Sequence, residues 1–196
     1  MQIESTLPLA IALAIVAITP AEAAKKKACA GGAIERAICA DADLAALARE
    51  TERLSALALA GRQMTKEARA VFAAGAKDWR GERDACGAQG RDCLIEQHLS
   101  RINALRQITP TDAKGTSRGP TLYVCDGLAE TVSAITVSGR TPRAYLAWGD
   151  YAFALSGKDG SYATELDSGL MTFATAPGGA TLGLPGRGER ACRPAG

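Results

Sequence analysis

The spacing of the hydrophobic residues changes about halfway along the chain. From Ile34 to about Arg106 they recur every three to four residues, which is the period of an amphipathic α-helix. This half therefore predicts helices. Asp43 and Thr65 are placed to cap two of them, and Asp41 also suits capping. The apolar stripes are Leu44/Leu47/Leu54/Ala58, Phe72/Gly75/Ala76/Trp79 and Ile95/Leu99/Ile102/Arg106.

A polar segment over residues 109–120, rich in Pro, Gly, Ser and Thr, follows the helical half and predicts a linker. Beyond it, apolar and polar residues alternate with the period of a β-strand, and Asp-Gly and Gly-Gly pairs interrupt the alternation. Residues 24–108 thus predict a helical domain and residues 121–196 a small antiparallel barrel or sandwich. The alternating positions are Leu122/Val124, Ala144/Leu146/Trp148, Tyr151/Phe153/Leu155 and Met171/Phe173.

The N-terminus carries an apolar run over residues 7–20, followed by Ala21-Glu22-Ala23. This pattern is typical of a signal peptide cleaved after residue 23, although no Lys or Arg precedes the run. The run is shorter than the ~20 residues that span a bilayer. Cys29 follows Lys-Lys-Ala, which is not a lipobox. We therefore expect an exported protein, periplasmic or secreted, with no membrane span after removal of residues 1–23.

Six cysteines in an exported chain predict three disulfides. No C-x-x-C pair occurs, which argues against a redox motif or a zinc ribbon. Because Cys125 and Cys192 bracket the β half, we expect them to pair with each other. The six are Cys29, Cys39, Cys86, Cys93, Cys125 and Cys192.

The four cysteines of the helical half allow three connectivities. If the helices are antiparallel, Cys39 near the start of one lies beside Cys86 at the end of the next. Cys29 then pairs with Cys93. This nested pairing is the preferred one of the three.

Composition and charge exclude several classes of function. The chain has 23 basic and 21 acidic residues, whereas nucleic-acid binders are strongly and locally basic. His98 is the one histidine, which excludes mechanisms with two imidazoles, and we expect it to be structural. Glu96 is two residues away and therefore on another helix face. No glycine-rich phosphate loop is present. We expect a binding protein that is not an enzyme and needs no metal or cofactor.

The helical half resembles the N-terminal domain of the LprI-type lysozyme inhibitors. The resemblance covers Cys29 to Leu105 and includes all four cysteines of that half. It rests on Glu35-Arg-Ala-Ile-Cys39-Ala-Asp, Leu44-Ala-Ala-Leu47, Trp79-Arg-Gly-Glu-Arg83-Asp-Ala-Cys86, Cys93-Leu94, Arg101-Ile102 and Leu105.

The second half is similar to the MliC/PliC inhibitors of C-type lysozyme. Its opening and closing segments, Tyr123-Val-Cys125-Asp-Gly127 and Ala191-Cys192-Arg-Pro194, match those of the family, and Ser156-Gly157 through Tyr162 is similar to the inhibitory Ser-Gly-x-x-Tyr loop. The resemblance implies an eight-stranded antiparallel barrel with one disulfide. It also implies that a loop serine and a lysine from a second motif engage the catalytic carboxyl groups of lysozyme.

The inhibitory motifs are incomplete in this chain. Four residues, not two, separate Gly157 from Tyr162, and Thr175-Ala-Pro-Gly178 replaces the Thr-Lys-Gly of the second motif. Lys158 is the candidate substitute for the missing lysine. The resemblance thus implies a C-type lysozyme partner bound through Ser156, Gly157, Lys158 and Tyr162. Three alternatives stay open: Ser156 to Gly160 is only a hairpin turn, the protein is an envelope scaffold module that works through its helical domain, or it is an envelope hydrolase.

Overall fold

The computed structural model describes residues 31–61, 64–88, 90–109 and 114–195. The predicted signal peptide and Cys29 lie outside these ranges. Within them, no helix is both long and apolar enough to cross a membrane.

Helices form the first half, as the sequence predicts. The described residues contain α1 (Ala33–Ala40), α2 (Ala42–Ala60), α3 (Lys66–Ala85), a short 3-10 helix (Cys86–Ala88) and α4 (Arg91–Ile108). Thr65 caps α3 by accepting a hydrogen bond from the amide of Ala68. The cap of α2 is Asp41 rather than Asp43, because α2 begins at Ala42 and its free amides at Asp43 and Leu44 meet the Asp41 carboxylate.

Eight strands form the second half and close into an antiparallel barrel. Each strand pairs with the next along the chain, and β1 pairs with β8. This arrangement confirms the prediction of helices followed by an eight-stranded antiparallel barrel. The strands are β1 (Ser117–Cys125), β2 (Val132–Val137), β3 (Arg143–Trp148), β4 (Tyr151–Lys158), β5 (Ser161–Leu166), β6 (Gly169–Ala176), β7 (Gly179–Leu184) and β8 (Gly188–Pro194).

The alternation along the strands places one set of side chains inside the barrel. These side chains form a buried cluster whose largest members are almost fully enclosed. The cluster contains Tyr123, Cys125, Val132, Ala134, Ala144, Leu146, Leu155, Tyr162, Met171, Phe173, Ala180, Leu182 and Cys192.

The helices and the barrel share a second core. Leucines and isoleucines of α2 and α4 pack against Ile135 and Val137 of β2 and Tyr145 of β3, which point out of the barrel wall. Strand β1 begins at Ser117, inside the segment predicted as a linker. The outer face of β2 and β3 is therefore covered by the helices.

The disulfides confirm one predicted pairing and correct two. Cys125 bonds to Cys192, as expected. Cys86 bonds to Cys93, so the predicted Cys39–Cys86 and Cys29–Cys93 pairs are wrong. The reason is the tight turn between α3 and α4, which leaves the Cα atoms of Cys86 and Cys93 5.6 Å apart. Cys39 is also disulfide-bonded, and none of the described cysteines is free.

Candidate functional site

Strands β4 and β5 form a hairpin that carries all four residues of the predicted inhibitory loop. Lys158 pairs with Ser161, and Asp159 and Gly160 form the turn with φ values of 51° and 82°. Two consecutive positive φ values are typical of a type I′ turn, which suits the twist of a two-residue hairpin. The turn predicted over Ser156 to Gly160 is therefore present but shorter: it comprises Asp159 and Gly160, and Ser156 to Lys158 belong to β4.

Two of the four residues build the hairpin. Gly157 lies opposite Tyr162, and a Cβ atom at Gly157 would come within 2.6 Å of Tyr162 Cδ1. Tyr162 is only 8% exposed, and its ring stacks on Phe173 at 6.4 Å between ring centroids. Burial also raises the pKa of the Tyr162 hydroxyl. Gly157 and Tyr162 therefore belong to the packing of the barrel wall.

Ser156 and Lys158 lie on the outer face of the same strand. They are two residues apart, so their side chains leave the strand on the same side. Both residues are exposed, and the Lys158 side chain is 85% exposed with its amine 3.9 Å from the Asp159 carboxylate. These are the two side chains of the predicted set that a partner can contact.

Arg143 is the neighbour that sequence reasoning missed. It pairs with Ser156 across β3 and β4, and its Nη1 donates a 2.7 Å hydrogen bond to Ser156 Oγ. Arg143 is buried, and burial followed by repulsion from Arg91 lowers the pKa of its guanidinium. Only the register between two strands brings Arg143 to Ser156, so no local motif signals it.

Ser156 opens onto a cavity of about 570 Å³ between the barrel and the helices. Arg143, Ser156 and Thr164 line the barrel side, and the carboxylate-bearing Asp92 and Glu96 of α4 line the opposite side. A cation, a hydroxyl and two carboxylates thus face one space at the junction of the two halves.

The segment from Thr175 to Gly178, which the sequence resemblance aligns with a second inhibitory motif, lies beside the hairpin turn. Thr175, near the end of β6, donates a 2.9 Å hydrogen bond from its amide to the carbonyl oxygen of Gly160. Its hydroxyl donates to the same oxygen at 3.3 Å. The turn that follows Thr175 is therefore adjacent to the hairpin that carries Lys158.

His98 is buried in the helical half, only 1% exposed. Its Nδ1 lies 3.2 Å from the hydroxyl oxygen of Thr51, and its ring meets that of Trp79 edge to face at 5.4 Å. Burial, with a smaller contribution from the Arg83 charge, lowers the pKa of His98 to about 4. The imidazole is therefore neutral at pH 7, and it is packed in the helical part as the sequence indicates.

We expect the free energy of unfolding to decrease by roughly 3 kcal/mol as the pH falls from about 6.5 to 4. His98 titrates near 6.5 when unfolded and near 4 when folded, so in this window the unfolded chain binds the extra proton. Denaturant titrations between pH 7 and pH 4.5 measure this slope. His98→Gln should reduce it, and an unchanged slope in that variant would assign it to other groups.

Comparison of the chain with family models, with curated proteins and with solved structures finds no match.

Proposed function

We propose that this protein is an exported inhibitor of C-type lysozyme, periplasmic or secreted, that binds through the β4–β5 hairpin. The observation that carries the proposal is the joint exposure of Ser156 and Lys158 on one face of that hairpin. The adjacent Thr175, where the inhibitor family has its second motif, supports the same assignment.

The chemistry of the lysozyme cleft fits these two side chains. The cleft has two carboxyl groups, one of which is ionised at neutral pH. Ser156 Oγ accepts a hydrogen bond from Arg143, so its own proton is available for a carboxylate of the partner. A charged donor next to a hydroxyl polarises it and strengthens the bond that it donates. Arg143 therefore orients and activates Ser156.

Lys158 supplies the cation. A hydrogen bond from a charged group contributes about 1.5–3 kcal/mol, against about 0.5–1.5 kcal/mol for a neutral one. The Lys158 side chain is exposed to solvent, so ordering it on a partner costs side-chain entropy. We therefore expect weaker inhibition than that of a barrel with the complete second motif.

Inhibition constants of the native chain and of two variants test the proposal. Lys158→Ala should raise the constant by about 10- to 100-fold and Ser156→Ala by about 3- to 10-fold. Lys77→Ala, an exposed lysine on α3, and Ser168→Ala, an exposed serine between β5 and β6, are the matched controls and should leave it unchanged. A native chain that does not inhibit, or that inhibits equally well without Ser156 and Lys158, would contradict the proposal.

The alternative function, an envelope interaction module that uses the helices, is favoured by one observation. Helix α3 has no buried residue, although its hydrophobic residues lie at the spacing of a packed helix.

A further inference from the structure

Helix α3 packs less closely than the other long helices. Its stripe of Phe72, Ala76 and Trp79 faces α2 and α4, yet none of its residues is buried. By contrast, Leu54 of α2 and Leu99 of α4 are completely buried. Helix α3 is held on α4, where Trp79 Nε1 donates a 3.0 Å hydrogen bond to the Gln97 carbonyl, and Phe72 packs against the core, but α3 leaves a groove between itself and α2.

The groove has a volume of about 570 Å³, within the range typical of small-molecule sites. Ala48 and Leu59 line it at its two ends on α2, and α4 contributes His98 and Arg101. At 1.5 Å per residue, the distance from Ala48 to Leu59 is about 16 Å. The lining is mostly apolar, and its aromatic rings are Phe72 and Trp79. Its shape and lining suit an elongated apolar chain.

Arginines border this apolar surface. Arg80, Arg83 and Arg101 line the groove, with Glu52 as the one carboxylate among the lining residues. The Arg101 guanidinium lies 5.2 Å from the ring centroid of Phe72 and 5.8 Å from that of Trp79. The groove therefore carries a net positive charge.

The three arginines differ in their partners. Arg83 forms ion pairs with Glu35 and Asp84. Arg80 and Arg101 form no ion pair with any residue that the structure describes. Burial and repulsion from Arg80 lower the pKa of Arg101, as expected of a cation without a counter-charge. An anion placed between Arg80 and Arg101 would relieve this repulsion.

His98 adds a polar group at the same groove. The Thr51 hydroxyl donates to the Leu47 carbonyl at 2.9 Å, so its oxygen accepts the proton of His98 Nδ1. His98 Nε2 is then an acceptor, and it is buried with no partner among the described residues. As an acceptor, Nε2 has no hydrogen bond to offer a carboxylate, so an anion in this groove is held by the arginines and not by His98.

We propose that the groove between α2 and α3 binds a single-chain anionic amphiphile, a fatty carboxylate. The chain lies along Leu59, Phe72 and Ala76, and the carboxylate lies between Arg80 and Arg101. This site is in the helical half, apart from the hairpin that carries Ser156. It is therefore independent of lysozyme inhibition.

Titration of the full exported chain with dodecanoate tests the proposal. Binding is measured by calorimetry and by the fluorescence of Trp79 in a Trp148→Phe background. We expect saturable binding with one site per chain. Dodecyltrimethylammonium has the same chain and the opposite charge. It should bind at least about tenfold more weakly, because the arginines repel its cationic head group. Octanoate should also bind more weakly, because its chain covers less of the groove.

Two variants and one control separate the contribution of charge to binding from that of the free volume of the groove. Arg80→Glu should weaken dodecanoate binding at least about tenfold, whereas Arg69→Glu, an exposed arginine on the same helix outside the groove lining, should not. Ala76→Trp fills the groove without a change of charge and should abolish binding, with the helical circular dichroism retained. All three variants should inhibit lysozyme as the native chain does.

Absence of saturable dodecanoate binding would overturn the proposal, as would equal binding by Arg80→Glu and Arg69→Glu. Binding of an acidic peptide in place of dodecanoate would assign the groove to a protein partner and would overturn it too. Because the lysozyme assay is separate, failure of this proposal is distinguishable from failure of the proposed function.

Discussion

Replacement of Glu50 by alanine is expected to lower the free energy of unfolding by about 3–5 kcal/mol. Glu50 on α2 is 4% exposed and accepts hydrogen bonds from Arg53 at 2.8 Å and from the Ser117 amide at 3.1 Å. Arg106 on α4, also 4% exposed, lies 3.5 Å from the same carboxylate. Without Glu50, the buried Arg106 guanidinium loses this carboxylate and the Ser117 amide loses its acceptor, and both losses lower the stability.

The same carboxylate joins the two halves of the molecule. Arg106 donates hydrogen bonds to the hydroxyl and the carbonyl of Ser117, at 2.8 Å and 2.6 Å, and Ser117 is the first residue of β1. We therefore expect Glu50→Ala to loosen the contact between α2, α4 and the barrel as well as to lower stability.

Chemical denaturation of Glu50→Ala and of Glu52→Ala measures the effect. Glu52 lies on the same helix and is exposed, so its removal should change stability by less than about 0.5 kcal/mol. Burial alone would raise the pKa of Glu50, but hydrogen bonds from Arg53 and Ser117 lower it to about 2. Its contribution is complete above pH 4.5 and is lost as the pH falls towards 2. Equal stabilities of the two variants would show that the network is energetically neutral.

The second large effect is expected from replacing both Cys125 and Cys192 by serine, which removes their disulfide and lowers the free energy of unfolding. The bond closes a loop with a sequence separation of 67 residues. Loop-closure entropy then gives a loss of about 4 kcal/mol, because the unfolded chain regains the freedom that the bond removed. Cys125 and Cys192 also lie opposite each other where β1 meets β8, so the barrel loses a covalent bond at its closure.

The double substitution at Cys86 and Cys93 is the matched control. Its loop spans a sequence separation of only 7 residues, for which the same relation gives about 2 kcal/mol. Both variants are to be compared with the native chain by thermal and denaturant unfolding under non-reducing conditions. A larger loss for Cys86/Cys93 than for Cys125/Cys192 would show that loop entropy does not set the order.

The β4–β5 hairpin was partly predictable. The Ser-Gly and Asp-Gly pairs between Ser156 and Gly160 indicate a turn, since these residues adopt the backbone angles that a turn needs. The burial of Tyr162 was not predictable from the motif, because an aromatic residue in a loop motif is equally suited to a partner's surface. Its place inside the barrel follows from its position opposite Gly157, which leaves room for the ring.

The sequence by itself determined the helices, the strands and the Cys125–Cys192 pair. Helical and strand periods are local properties of the chain, so the stripe from Leu44 to Ala58 and the alternation from Tyr151 to Leu155 were sufficient. Pairing of Cys125 with Cys192 followed because they are the two cysteines of the β half, so no other connectivity competed there.

Only the tertiary structure decided which cysteines of the helical half pair and which residues distant in the sequence come into contact. Cys86 pairs with Cys93 because a tight turn brings them together, whereas an antiparallel arrangement alone favoured Cys39. The same holds for the Glu50 carboxylate at Ser117, 67 residues away. The Cys86–Cys93 pair depends on the turn between α3 and α4, and the Glu50–Ser117 contact depends on the packing of the helices against the barrel. These contacts leave no local pattern in the sequence, because each is made by single residues whose positions follow no periodicity.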